Sequence, residues 1–123
     1  MVSVPSFLLR RLYVKGSLQN TPEGFQFQLK NQLGSGYAKK LFPLMVDGQE
    51  VPLEQSSFVL DGAQVPFSSV ADDRPLTLAM NKAVFIRVKG AKLTPKAHKI
   101  DMSFAVPGLG VLKLDFADVP SSA

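Results

Sequence analysis

The sequence predicts an all-β fold: a single antiparallel β-sandwich, jelly-roll-like, with short hairpins. Three observations lead there. Apolar and polar residues alternate with period two along most of the chain, the pattern of strands with one face buried and one wet. Nine glycines and nine prolines interrupt these runs at short spacing, as turns between short strands require. No window of eleven or more residues carries the i, i+3, i+4, i+7 stripe of an amphipathic helix.

The runs follow in order. Phe25, Phe27 and Leu29 alternate with Gln26, Gln28 and Lys30. Leu76, Leu78 and Met80 alternate with Thr77 and Ala79, and Val84, Ile86 and Val88 with Phe85, Arg87 and Lys89. Ile100, Met102, Phe104 and Val106 alternate with Asp101, Ser103 and Ala105. Leu112, Leu114 and Phe116 alternate with Lys113 and Asp115. Between the first two runs one phrase occurs twice, as LMVDGQEVP (44–52) and VLDGAQVPF (59–67). Each reads as a hairpin. An Asp-Gly pair tolerates the positive φ that both central residues of a type I′ turn need. Leu44–Val46 should turn at Asp47-Gly48 into Gln49–Val51, and Phe58–Leu60 at Asp61-Gly62 into Ala63–Val65. Pro52 and Pro66 lack a ladder donor, so each should end its strand or lie on an edge.

At 123 residues the chain has the length of one domain, 1–123, with loose ends expected at about 1–6 and 118–123. Its hydrophobic share of 46% and charged share of 20% are those of a soluble globular protein. No apolar run reaches the roughly 18–20 residues that span a bilayer, so no membrane contact is expected. In MVSVPSFLLRRLYV the apolar stretch is short and is followed, not preceded, by Arg10 and Arg11, which makes a poor signal peptide. A cytoplasmic protein is expected, and the absence of cysteine fits.

Chemistry-bearing residues are few. Without cysteine there is no thiolate nucleophile or thiolate metal site. The one histidine, His98, begins a strand in phase with Ile100, where a hydrogen-bonded edge or core role is expected. The ten acids are scattered, and the Asp-Gly turns match neither a phosphate loop nor an EF-hand. Gly34-Ser35-Gly36-Tyr37 reads as a flexible loop, with a phosphate-cradling nest as the alternative. No catalytic, cofactor or metal-binding residue is expected in this chain.

Binding remains. Residues 34–44, GSGYAKKLFPL, set Tyr37, Lys39, Lys40 and Phe42 close together. Aromatics beside cations are common interface anchors; alternatively, Phe42 tucks into the core. A second surface is suggested by Lys82, Arg87, Lys89, Lys92, Lys96 and Lys99, a run without an acid. It reads as solvated strand faces or as a basic face for an acidic protein. Nucleic acid is not expected, because stacking aromatics are not interleaved with the cations.

The order of YVKGSLQNTPEGFQFQLKN (13–31), VDGQEVPLEQSSFVLDG (46–62) and VKGAKLTPKAHKI (88–100) resembles the small β-subunit family of bacterial C-glycoside deglycosidases, over roughly residues 12–106. The resemblance implies a β-sandwich that joins a larger TIM-barrel α-subunit carrying a divalent metal, usually manganese. That complex, a carbon–carbon lyase, would cleave the sugar–aglycone bond of 3-keto C-glycosides, with the chemistry in the α-subunit. This chain would then be a non-catalytic subunit, contacting its partner through Tyr37, Lys39, Lys40 and Phe42. The alternative is a stand-alone carbohydrate-binding sandwich.

Overall fold

The structure, a computed structural model, describes residues 4–90 and 92–121. Two antiparallel sheets pack face to face. The first has five strands, in the order β1 (Gln19–Asn20), β2 (Gly24–Lys30), β10 (Ala83–Lys89), β7 (Ser56–Leu60) and β8 (Ala63–Pro66). The second runs β12 (Gly110–Asp118), β11 (His98–Val106), β5 (Met45–Val46) and β6 (Gln49–Glu50), with β4 (Lys40–Leu41) also paired to β11. A separate two-stranded ribbon joins β3 (Gly36–Ala38) to β9 (Leu76–Leu78).

The alternation read from the sequence is the alternation of burial. Phe25, Phe27 and Leu29 of β2 and Val84, Ile86 and Val88 of β10 face the second sheet and are buried. Ile100, Met102, Leu114 and Phe116 meet them from β11 and β12. Each such side chain contributes about 1.5–3 kcal/mol by leaving water. Gly24 permits one close approach: a Cβ there would lie 2.1 Å from the Val88 carbonyl oxygen.

Both Asp-Gly turns have the expected geometry. Asp47 and Gly48 take φ of 52° and 83°, Asp61 and Gly62 of 52° and 82°. Pro66 is the last residue of β8, and Pro52 leads into a 3-10 turn at Leu53–Gln55. The run from Leu76 ends earlier than predicted. β9 stops at Leu78, and Asn81, at φ 66°, turns the chain into β10 and leaves Met80 half exposed.

The structure adds one short element and fastens one end expected to be loose. A helical turn, α1 (Ser6–Leu9), runs into a 3-10 turn at Arg10–Leu12. It is too short to show helical periodicity. Its anchor is tertiary, since Leu9 is buried in the core beside β12. At the other end, the stretch expected to be loose from residue 118 is fastened as far as 121. Ser121 donates its N–H to the Leu18 carbonyl and accepts from Asn20 N–H, pairing with Gln19 in a parallel bridge. Residues 1–3, 122 and 123 of the expected loose ends lie outside the described residues. No described helix is long and apolar enough to cross a membrane.

Candidate functional site

The stretch 36–46 runs along two neighbours in turn. β3 pairs with β9, the chain bends at Lys39, and β4 and β5 then pair with β11. The bend changes the phase, so Lys39 and Lys40 are both exposed while Ala38 and Leu41 are buried. Lys40 stands opposite Ala105, and Phe42 donates its N–H to the Ser103 carbonyl. Phe42 therefore lies on the outer face of the second sheet and not in the core. The Lys40 ammonium sits over its ring, 5.1 Å from the centroid, a cation–π contact. Tyr37, 47% exposed, lies on the β3–β9 ribbon opposite Thr77. Lys40 and Phe42 thus touch each other, with Lys39 at the bend and Tyr37 on the adjoining ribbon.

That outer face carries groups that periodicity alone did not single out. The ladder aligns Met45, Asp101 and Asp115 in one row, Ser103 and Lys113 in the next, and Lys40, Ala105 and Val111 in a third. Two carboxylates directly opposite each other repel, and the surrounding cations offset this. Arg10 donates from Nε to Asp115 at 2.7 Å, Lys113 lies 3.5 Å from Asp101, and Lys99 lies 3.9 Å from Asp115. The Arg10 hydrogen bond, aided by the charges of Arg10, Lys99 and Lys113, holds the Asp115 carboxyl below its ordinary range against the opposing effect of burial. Asp101 keeps one buried carboxylate oxygen without a partner. Val111 is 62% exposed. The available signal was the strict outward phase of Lys99, Asp101, Lys113 and Asp115; the register needed to assemble them was missing.

The predicted basic run does not form one patch. Arg87 and Lys89 point outward from the first sheet, Lys92 and Lys96 lie in the following loop, and Lys99 belongs to the outer face of the second sheet. Lys82 pairs with Asp61 at 2.5 Å and Lys89 with Glu23 at 4.0 Å. Nor is the Gly34 loop a free nest. Asn31, 6% exposed, accepts the N–H groups of Leu33 and Gly34 on its side-chain oxygen and donates to the Gly34 and Leu78 carbonyls. The loop is pinned, and the amides of Leu33 and Gly34 are occupied.

His98 is buried, with both ring nitrogens engaged. Nδ1 lies 2.6 Å from an Asp47 carboxylate oxygen, and Nε2 lies 3.0 Å from the Thr94 carbonyl and 3.1 Å from its hydroxyl. The other Asp47 oxygen accepts Lys99 N–H at 2.9 Å. These bonds, the His98 one first, hold the Asp47 carboxyl below its ordinary range. The hydroxyl–imidazole–carboxylate order is that of a nucleophilic triad. The Thr94 carbonyl, however, competes for the nitrogen that would have to accept the hydroxyl proton. The cluster clamps the β5–β6 hairpin to the strand beside it. Tyr13 is equally unsuited to proton transfer at neutral pH: burial first, then its hydrogen bond to Asp118, pushes the phenol up to about 12. Among the described residues no three His, Cys, Asp or Glu side chains are grouped to hold a metal.

The family model for the hydroxymethylglutaryl-CoA reductase N-terminal domain matches residues 8–121. The chain belongs to this family. No curated protein matches it. Membership in the reductase N-terminal domain family overturns the resemblance to C-glycoside deglycosidase β-subunits, together with the C–C lyase role and the glycan-binding alternative. The structure explains why the resembling phrases misled. Val-Asp-Gly-x-x-Val-Pro is the chemistry of a type I′ hairpin closed by proline, which unrelated hairpins share. Its tie to the later histidine is the Asp47–His98 clamp, a local packing device. The metal-bearing barrel partner was implied by that resemblance alone.

Proposed function

We propose that this chain is a non-catalytic domain that docks onto the catalytic part of a hydroxymethylglutaryl-CoA reductase through the outer face of its second sheet. The observation that carries this reading is the half-buried Phe42 beneath exposed Lys40, with Val111 and Lys113 exposed on the same sheet face. An aromatic ring and an aliphatic side chain set among cations fit an apolar partner surface bearing carboxylates. Tyr37 and Lys39 extend the contact at its edge. The family's name supplies the enzyme. The description of that family as an N-terminal domain suits a chain whose single histidine is locked in a clamp. In this reading the chain works in the cytoplasm, which its cysteine-free composition favours.

The test is binding of the purified chain to a reductase catalytic polypeptide, with turnover of hydroxymethylglutaryl-CoA measured for the chain alone and for the mixture. The chain alone should give no turnover. Lys39→Glu with Lys40→Glu should weaken the complex at least about tenfold, and more at low salt. Reduction by the isolated chain, or a complex indifferent to the charge reversal, would overturn the proposal.

A further inference from the structure

Two open depressions of similar size, about 470 and 480 Å³, lie on the sandwich. In one of them Tyr13 stacks on Phe116 at 3.6 Å, and Arg10 is paired with Asp115. The other, of about 470 Å³, is a half-open slot between the β7–β8 hairpin and the β9 segment. Phe58, Leu60, Val65 and Leu76 form its apolar walls, and Arg74 and Thr77 stand on its lining with the other polar groups. A tight turn sets Arg74 in place. Ala71 N–H donates to the Arg74 carbonyl at 3.2 Å and Arg74 N–H to the Ala71 carbonyl at 3.0 Å. Among the described residues the Arg74 guanidinium makes no ion pair, unlike Arg10 in the other depression. An apolar cavity of roughly 300–1,000 Å³ with a few convergent polar groups is the usual form of a small-molecule site.

We propose that this slot binds an amphiphilic carboxylate, its hydrocarbon chain between the hairpin and β9 and its head group on Arg74. The apolar walls select the chain by area removed from water. The guanidinium selects a planar anion that can accept two parallel N–H bonds. A neutral alcohol of the same length fills the walls and leaves the guanidinium unused. A short carboxylate pairs with Arg74 and leaves the walls wet. The slot meets the docking surface only at its edge, where Thr77 stands opposite Tyr37, and its test uses neither Lys40 nor Phe42.

The test titrates the full chain with octanoate, octanol and butyrate, following backbone amide shifts and heats of binding. Octanoate should shift Leu60, Val65, Leu76 and Thr77 and bind at least about tenfold more tightly than either comparator, the scale of one charge-assisted pair. Arg74→Gln, a change at an exposed turn, should remove that advantage over octanol and leave octanol binding unchanged. Val65→Phe should block both. Shifts scattered outside the slot, equal binding of octanoate and octanol, or octanoate binding untouched by Arg74→Gln would each overturn the proposal.

Discussion

Asp47 shows how much one residue carries here. Its left-handed backbone makes the hairpin turn, and its two carboxylate oxygens hold His98 and the Lys99 amide. Asp61, in the same turn geometry, has among the described residues only the exposed Lys82 pair. The two copies of the phrase are therefore unequal. His98→Ala should loosen the first hairpin, seen as faster hydrogen exchange at Asp47 and Lys99 N–H, while Leu60 and Ala63 in the second hairpin stay protected. Protonation acts at the same residues. Asp47, Asp115 and Asp118 have carboxyls held below their ordinary range. Their contribution to stability is fully present above the unfolded carboxylate value of about 4 and is lost as pH falls through the lower folded values. Tyr13 acts at the other end. Its contribution is complete below the ordinary value of 10.0 and is lost as pH rises through about 12. Denaturant melts across pH should show both flanks, and Tyr13→Phe should remove the alkaline one.

At the scale of elements, the loops are as constrained as the strands. Asn31 uses both its donors and its acceptor oxygen to fasten the 31–36 loop to the end of β9. Asn31→Ala leaves these backbone groups without that partner. A loss of about 2 kcal/mol is expected, or roughly 8 °C in Tm for a chain of this size. A change within about 2 °C would show that water replaces the amide freely. The β2–β10 pair is tight at Gly24, where an added Cβ would strike backbone and not a flexible side chain. Gly24→Ala should separate the strands there and lower Tm by more than about 5 °C, read against Gly36→Ala, where open space receives the methyl. The paired strands, not the short helical turn, hold the molecule. α1 persists because Leu9 is buried and Arg10 reaches Asp115.

At the scale of the whole molecule, the β class and both hairpins were legible because period-two burial and Asp-Gly turn chemistry are local. Strand order was not, because β10 sits between β2 and β7 through contacts distant in sequence. The Arg10–Asp115 pair spans 105 residues and the Asp47–His98 pair 51. Neither leaves a trace in composition or spacing. Lys40 and Phe42 were visible as an aromatic–cation stretch. Which face they occupy depended on the bend at Lys39 and the register with β11. The deglycosidase resemblance failed for the complementary reason: its phrases encode turns, and turns recur in unrelated hairpins. The proposed docking surface is the outer face of the second sheet, and the central claim is that a reductase's catalytic part covers it. Hydrogen exchange of this chain with and without a reductase catalytic polypeptide tests that claim most directly. The expected result is slowed exchange confined to residues 39–46 and the facing segments of β11 and β12. Unchanged exchange there, or protection on the outer face of the first sheet instead, would contradict it.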